Sequence, residues 1–144
     1  MKTVREVLDA KGSEIYDIAP DAKVIDALRA MADRNVGALL VRDGVELVGL
    51  ISERDYARKV ILKDKASRDI PVSEIMSRRV VCVGPGQRVD ACMALMTDKR
   101  IRHLAVTDEG RLVGVVSIGD VVKAIIDHHE FTIQQLEHYI TGGR

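Results

Sequence analysis

Two short segments of the chain place a serine and an aspartate three residues apart, each directly after an apolar run. They are Ser52-Glu53-Arg54-Asp55 and Ser117-Ile118-Gly119-Asp120. This spacing is typical of a capping box, in which a hydroxyl and a carboxylate bond the free backbone amides at a helix N-terminus. A carboxylate at such a junction can also hold a ligand. The spacing leaves both interpretations open, and one does not exclude the other.

The two segments are copies within an internal repeat. Shifting the sequence by 65 positions superimposes many identical residues: Pro20 on Pro85, Val24 on Val89, Met31 on Met96, Leu39 on Leu104, Val41 on Val106, Gly49 on Gly114, Ser52 on Ser117 and Asp55 on Asp120. A register that holds over this length indicates a duplicated structural unit. Each copy alone would have a poor surface-to-volume ratio, so we expect the two copies to pack together as one body.

Each repeat is predicted to fold as β-α-β-β-α, opening with a short strand near residues 15–18 or 80–83. In the first repeat, Val24, Ala27 and Met31 have the spacing of one helix face. Apolar runs on either side of Asp43-Gly44 predict a β-hairpin. The closing helices are predicted to bury Tyr56, Ala57, Val60 and Ile61 in the first repeat, and Val121, Val122, Ile125 and Ile126 in the second.

The predicted organisation is residues 1–66 for the first repeat with its N-terminal segment, 67–127 for the second repeat and 128–144 for a C-terminal helical extension. The polar segment Lys63–Pro71 is the predicted linker. After it, Val72–Met76 echoes Val4–Leu8 at an offset of 68. In the extension, three residues share one side of a helix: Ile133, Leu136 and Ile140. Packing on the domain and contact with a partner are both open for this helix.

Composition favours a globular protein and disfavours nucleic acid as the main partner. The 144 residues are 47% hydrophobic and 31% charged, and 22 basic residues balance 22 acidic ones. Phosphate backbones require a concentrated cationic surface, which this balance does not provide. The first residues lack the apolar core of a signal peptide, and no run is long enough to span a bilayer. We therefore expect a cytoplasmic protein without a membrane role.

Cysteine and histidine predict no metal or redox site. Cys82 and Cys92 lie ten positions apart in apolar surroundings, which predicts two buried free thiols. The neighbouring His128 and His129 would point about 100° apart on a helix, so a solvated face that includes His138 is the preferred interpretation.

The paired motifs resemble a tandem pair of CBS domains, the modules named for cystathionine β-synthase. The resemblance rests on Gly49–Asp55 and Gly114–Asp120, both Gly-x-x-Ser-x-x-Asp at a strand-to-helix junction, and on Ile18–Val24 and Arg102–Val106. It covers the chain from about Val4 to Ile126, and the chain closely resembles small stand-alone bacterial signal-transduction proteins made of little else but a CBS pair. The resemblance implies an α+β fold, with two β-α-β-β-α repeats packed around a pseudo-twofold axis and two clefts between them. Such clefts commonly bind AMP, ATP or NAD(H); S-adenosylmethionine is the less favoured ligand.

The resemblance also implies roles for particular residues. Asp55 and Asp120 are the candidates to accept hydrogen bonds from the two hydroxyls of a ribose, as the acidic residue of dinucleotide-binding folds does. The helix N-termini at these junctions would favour phosphate. The remaining candidates are Ser52 and Ser117 for hydroxyl contacts, Arg54, Arg102 and His103 for phosphate, Arg58 and Lys59 one turn further along, and Ile18, Ala38, Val81 and Val83 for the adenine slot. The alternatives are solvated arginines for Arg54 and Arg102 and a satisfied strand histidine for His103.

These residues predict a non-catalytic sensor of adenine nucleotides, a homodimer that signals to a partner protein whose identity the sequence does not give. The alternative is a structural or dimerisation module with empty clefts. An enzyme is disfavoured, because the sequence has no P-loop, no metal-ligand spacing and no recognised nucleophile–histidine pair. The repeats differ where Gly37-Ala38 becomes Arg102-His103 and Glu53-Arg54 becomes Ile118-Gly119. We therefore expect two unequal sites.

Overall fold

The computed structural model describes residues 1–63 and 69–140. Residues 64–68 of the predicted linker and residues 141–144 of the predicted extension lie outside this range. In chain order the elements are α1 (Val4–Lys11), β1 (Asp17–Ile18), α2 (Val24–Arg34), β2 (Ala38–Asp43), β3 (Glu46–Ser52), α3 (Glu53–Tyr56), α4 (Val72–Ile75), β4 (Cys82–Val83), α5 (Val89–Lys99), β5 (His103–Asp108), β6 (Arg111–Ser117) and α6 (Ile118–Ile140). A π-helical turn over Ala57–Ile61 follows α3.

The chain forms two compact units. The first-repeat unit is Ile15–Val80, and the second-repeat unit combines Met1–Glu14 with Val81–Arg144. This division differs from the predicted one at residues 66 and 67, because α1 belongs with the second repeat and α4 with the first. The difference follows from packing. Helix α1 covers β6, the last strand of the second hairpin, and α4 covers β3, the last strand of the first.

The first-repeat unit contains a three-stranded sheet in the order β1-β2-β3. β1 runs parallel to β2, whereas β2 and β3 form an antiparallel hairpin in which Ala38 faces Ser52. The turn contains Gly44 at φ 62°, a left-handed conformation that glycine adopts without a Cβ clash. Helix α2 buries Val24, Ala27 and Met31 against this sheet. The predicted helix and hairpin are both present.

The segment after β3 differs from its prediction. The amide of Leu62 donates to the carbonyl of Ala57 over 3.2 Å, an i to i+5 bond that widens the turn. As a result Val60 is buried, whereas Ala57 is exposed and Ile61 is 58% exposed. The predicted burial of Ala57 and Ile61 is therefore wrong, because a π-turn rotates the helix face away from a regular 3.6-residue period.

The second-repeat unit repeats the same sheet, in the order β4-β5-β6, with His103 facing Ser117. Helix α1 contributes Val4, Val7 and Leu8 to its core. Backbone hydrogen bonds fix the start of α1, since the Val4 amide donates to the Gln87 carbonyl over 2.8 Å. Two independent contacts thus place the N-terminal helix in this unit.

A glycine in each hairpin allows a short helix to approach the last strand closely. A Cβ on Gly49 would lie 2.7 Å from the Met76 sulfur and 2.8 Å from the Ser77 carbonyl oxygen. A Cβ on Gly114 would lie 2.9 Å from a terminal methyl carbon of Leu8. The aligned glycines of the two repeats therefore have the same structural purpose.

Helix α6 runs without a break from Ile118 to Ile140, so the closing helix of the second repeat and the predicted extension form one element. Its core face consists of Val121 and Ala124, with Ile125 packed beside them. The predicted burial of Val122 and Ile126 is wrong, because they are 39% and 50% exposed on a neighbouring face of the helix.

The predicted burial of both thiols is only half right. Cys92 lies in the core of the second-repeat unit, but Cys82 is exposed because it is in the two-residue edge strand β4, with its side chain on the outer face. Within the described residues, no helix is both long enough and apolar enough to cross a bilayer.

Candidate functional site

In the first-repeat unit, Ser52 and Asp55 form a complete capping box where β3 meets α3. The Ser52 hydroxyl accepts a hydrogen bond from the Asp55 amide over 3.1 Å, and Asp55 Oδ2 accepts from the Ser52 amide over 3.0 Å. Oδ2 also accepts from the Ser52 hydroxyl over 3.1 Å. The capping interpretation of this pair is correct, and it fixes the carboxylate at the strand-to-helix corner.

The second-repeat unit has the same corner, where β6 meets α6. Asp120 Oδ2 accepts from the Ser117 amide over 2.9 Å, and the Ser117 hydroxyl accepts from the Asp120 amide over 3.2 Å. Both carboxylates are partly buried. The duplicated motif thus produces duplicated geometry, with a hydroxyl and a carboxylate that bond backbone amides at the N-terminus of a helix.

A lysine contacts each of these carboxylates. In the first-repeat unit, Lys59 Nζ lies 3.2 Å from Asp55 Oδ1 and donates to the Ile75 carbonyl over 2.9 Å. In the second, Lys11 Nζ donates to Asp120 Oδ2 over 2.7 Å and to the Val115 carbonyl over 2.9 Å. Each ammonium has three protons, so one proton remains beyond these two contacts. The two corners therefore share a serine, an aspartate and a lysine.

The lysines come from different elements, and this makes the corners unequal. Lys59 lies four residues after Asp55, whereas Lys11 is on α1, 109 residues before Asp120. Partial burial by itself raises the pKa of Asp120, but the hydrogen bonds from Lys11 and the Ser117 amide outweigh it, so the pKa is lower than usual. Among residues 1–63 and 69–140, Oδ1 of Asp120 accepts no hydrogen bond, whereas both oxygens of Asp55 are engaged.

Lys11 is the site residue that sequence reasoning missed. Nothing in its spacing connects it to Asp120, because the repeat register assigns α1 no partner in the second half of the chain. The sequence predicts Lys59 as a phosphate ligand, whereas the structure places its ammonium against Asp55. The signal available was the echo of Val4–Leu8 at Val72–Met76, which marks α1 as part of a repeated unit.

The other candidates of the first-repeat unit are arranged around the same hairpin. Ala38 lies directly opposite Ser52, at the corner. Ile18 is in β1 opposite Val41, three residues further along β2 than Ala38. The side chains of Arg54 and Arg58 are exposed. The structure thus brings Ala38, Ser52, Asp55 and Lys59 together, and it leaves Arg54 and Arg58 on the surface nearby.

In the second-repeat unit, Arg102 and His103 precede the corner from the other strand. His103 faces Ser117, and the Arg102 carbonyl accepts a hydrogen bond from the Ile118 amide over 2.8 Å. The Arg102 side chain is exposed. Val83 is buried in the core, and Val81 packs against that core while its carbonyl accepts from the Ala105 amide. These two valines therefore contribute to packing in their own unit.

A shallow pocket of about 120 Å³ adjoins the Asp120 corner, between α1 and α6. Its charged lining is three lysines and three acids: Lys2, Lys11, Lys123, Glu6, Asp120 and Asp127. The pocket therefore places Lys2 and Lys123 near Asp120 in addition to Lys11. Within the described residues, no group of three or more His, Cys, Asp or Glu side chains is placed to hold a metal ion.

Comparison with family models identifies this arrangement. The model of the CBS domain matches twice, over residues 4–62 and 72–127. The chain belongs to the CBS domain family. The two CBS matches include both Ser–Asp corners, so the repeat in the sequence is a tandem CBS pair.

Known CBS proteins resemble the chain over most of its length. The mitochondrial CBS domain-containing protein CBSX3 of Arabidopsis thaliana is 39% identical over 150 aligned positions, which cover 98% of this chain and 73% of the relative. A structure described as a signal-transduction protein with CBS domains, from Burkholderia ambifaria, is 48% identical, with a TM-score of 0.85, and covers 88% of this chain and 95% of its own. These similarities confirm the predicted α+β fold and the resemblance to stand-alone CBS proteins.

A third structure shares the fold at lower identity. The CBS domain pair of protein MJ0100 is 23% identical, with a TM-score of 0.78, and covers 89% of this chain and 98% of its own. That pair was crystallised with 5'-methylthioadenosine and S-adenosyl-L-methionine. Both of its ligands contain an adenosine group.

Proposed function

We propose that this CBS pair is a non-catalytic regulatory module that binds an adenosine-containing nucleotide and signals its occupancy to a partner protein. One observation carries the proposal: both repeats build the same corner from a serine, a carboxylate and a lysine at a helix N-terminus. A capping box needs no lysine, and helix capping does not explain why two different elements supply one to the same position.

The chemistry of the corner fits a ribose and a phosphate. A carboxylate can accept hydrogen bonds from both hydroxyls of a ribose. The remaining proton of each lysine suits a phosphate oxygen. The side chains of Arg54, Arg58, Arg102 and His103 lie on or beside the same strands and helices and would add cationic or polar contacts. The candidate ligands are AMP, ATP and NAD(H).

The MJ0100 complex supports the adenosine class rather than one nucleotide. Its two ligands carry no phosphate, so we include S-adenosylmethionine and methylthioadenosine in the set to be tested. AMP, ATP and NAD(H) remain the favoured ligands for this chain because its corners each include a lysine.

We expect the two corners to bind unequally. At Asp55, a ligand hydroxyl must displace Lys59 from Oδ1 or share that oxygen with it. At Asp120, both hydrogen bonds from Lys11 and the Ser117 amide go to Oδ2, so Oδ1 is available to a ligand hydroxyl. The Asp120 corner should therefore bind the ribose more tightly.

A thermal unfolding series with AMP, ATP, NAD, NADH, S-adenosylmethionine and methylthioadenosine tests the proposal. A ligand at one hundred times its dissociation constant stabilises the folded state by about 2.7 kcal/mol, which corresponds to a shift of several degrees for a chain of this size. If none of these compounds raises the unfolding temperature, the proposed function is wrong.

Calorimetric titration of two variants then assigns the sites. Asp55→Ala and Asp120→Ala should each remove one binding event from the wild-type stoichiometry, and Asp120→Ala should remove the tighter one. The matched controls are Asp26→Ala and Asp90→Ala, which delete an acid from the first turn of another helix in the same unit. Unchanged stoichiometry in both corner variants would contradict the ribose role.

A further inference from the structure

We propose that the C-terminal part of α6 pairs with the same helix of a second copy of this chain, as an antiparallel two-stranded coiled coil. The inference does not depend on nucleotide binding. The first turns of α6 pack on the second-repeat unit through Val121 and Ala124. Beyond them, residues 129–140 are all exposed, although the helix continues to Ile140. An isolated helix of this length is only marginally stable in water, so a continuous exposed apolar face calls for a partner.

The exposed residues form a heptad stripe. Spacings of four, three, four, three and four residues connect six positions: Val122, Ile126, His129, Ile133, Leu136 and Ile140. This is the a/d repeat of a coiled coil, in which the pattern returns to one side of the helix every seven residues. The five apolar side chains are 39%, 50%, 55%, 57% and 80% exposed in chain order. The stripe lies about 100° around the helix from the core face, so both faces can be covered at once.

The charges beside the stripe favour a second copy in the antiparallel direction. Lys123, Glu130 and Glu137 each follow a d position, on the same side of the stripe. When two copies pair in opposite directions so that all six layers are used, Lys123 of each copy meets Glu137 of the other. At the midpoint, Glu130 of one copy meets Glu130 of the other. The antiparallel arrangement therefore has two attractive Lys123–Glu137 pairs and one repulsive Glu130–Glu130 pair. In a parallel pair, the two glutamates would face Ile125 and Thr132, which offer them no opposite charge.

The same charges argue against a membrane surface as the occupant. Helices that lie on anionic membranes carry lysine and arginine on their polar face. From Ala124 to Ile140, α6 contains no lysine or arginine, and its charged residues are Asp127, Glu130 and Glu137. The stripe is about 19 residues long and spans about 28 Å at 1.5 Å per residue, which suits a short helix pair.

Sedimentation of the full chain over a wide concentration range tests the pairing. Ile133→Asp places a charge in the middle of the stripe and should halve the mass of the assembly or raise its dissociation constant at least tenfold. Phe131→Asp is the matched control, since Phe131 is 58% exposed on the same helix but lies outside the stripe. Both substitutions are on the exposed surface of α6. Each variant should therefore still fold, which a cooperative thermal unfolding transition at low protein concentration would confirm.

A wild-type chain that is monomeric at every concentration would overturn the proposal, as would an assembly that responds equally to both variants. An assembly that persists in Ile133→Asp with unchanged mass and affinity would show that copies meet through another surface, and would also overturn it.

A charge exchange tests the direction. Lys123→Glu and Glu137→Lys should each weaken self-association roughly tenfold, because both interchain pairs become repulsive. An equal mixture of the two variants should recover the wild-type affinity, because at both interchain contacts a glutamate of one variant then meets a lysine of the other. The double variant in one chain should recover it as well. Failure of both recoveries would rule out the antiparallel arrangement.

Discussion

Lys11 links the N-terminal helix to the carboxylate at the Asp120 corner, and that contact has a measurable pH signature. The folded-state pKa of Asp120 is depressed, so its contribution to stability is present above the unfolded pKa of about 3.9 and is lost as the pH falls through the folded pKa. The pair is partly exposed, with the Lys11 side chain 38% and the Asp120 side chain 23% accessible. Solvent screening therefore limits its strength.

We predict that Lys11→Met lowers the free energy of unfolding by about 0.5–1 kcal/mol at pH 7. The difference from wild type should begin to shrink as the pH falls below the unfolded pKa and should continue to shrink as the pH falls through the folded pKa of Asp120. Urea unfolding at pH 7, 5, 4 and 3 measures it. The control is Lys99→Met, which removes an exposed lysine of the same unit. A Lys11→Met deficit that stayed constant down to pH 3 would show that the effect is not electrostatic.

The two cysteines should differ in reactivity. Burial, followed by the nearby Asp90 carboxylate, raises the pKa of the Cys92 thiol, and Cys92 is fully buried. Thiolates are the reactive species, so an aromatic disulfide reagent should label one thiol of the native protein at pH 8 and two in guanidinium chloride. Peptide mapping should locate the native label at Cys82. Rapid native labelling of both thiols would contradict the burial of Cys92.

At the scale of elements, the aligned glycines Gly49 and Gly114 allow close packing of a short helix against a hairpin, but their surroundings respond differently to a methyl group. The Cβ of Gly49→Ala would meet a backbone carbonyl, which the Leu50 to Ser77 bridge holds in place through hydrogen bonds of 2.9 and 2.8 Å. The Cβ of Gly114→Ala would meet only the end of the Leu8 side chain, which can change rotamer.

We predict that Gly49→Ala destabilises the protein by about 1–3 kcal/mol, whereas Gly114→Ala costs less than about 1 kcal/mol. Denaturant unfolding of the two variants under identical conditions provides the comparison. Each serves as the control for the other, because they occupy the same repeat position and neither has a positive φ. Equal losses in the two variants would mean that the backbone contact at Ser77 is not the cause.

The sequence predicts elements well where a single period covers them. The α2 face, the hairpins and the two corners followed from periodicity and from the duplicated motif. The buried face of the first closing helix does not follow from periodicity. The π-turn after Tyr56 widens the helix, so the 3.6-residue period no longer predicts which side chains are buried. On α6, two apolar stripes lie side by side, and periodicity alone does not tell which one faces the core.

At the scale of the whole molecule, α1 is separated in sequence from the unit that it completes. Leu8 is 8% exposed and packs in the core with residues of β5 and β6. The sequence of Val4–Leu8 does not predict which strand the helix covers, because its apolar face could pack on either hairpin. The predicted boundary between residues 66 and 67 groups residues that are adjacent in sequence, whereas the compact units group residues that are in contact.

We predict that Leu8→Ala costs about 2–4 kcal/mol and that the loss is confined to the second-repeat unit. Native-state hydrogen exchange of the full chain should accelerate for the amides of Leu104 and Val106, with little change at Leu39 and Val41. Val45→Ala, at a hairpin tip that is 96% exposed, is the control and should alter neither set. Accelerated exchange at Leu39 and Val41 alone would place α1 with the first repeat.

Because α1 packs in the second-repeat unit, the two units become complete at different times during synthesis. The first-repeat unit is contiguous, so all of its residues are available once Val80 has left the ribosome. Helix α1 emerges before the rest of the second-repeat unit but finds its packing surface only after β6 and the start of α6 have been made, more than 100 residues later. Domains generally fold as units as they emerge, at about 5–20 residues per second, so α1 waits several seconds before Val4, Val7 and Leu8 can pack in the core of the second-repeat unit. Helix α1 is thus made before the other elements described here and is among the last of them to reach its final place.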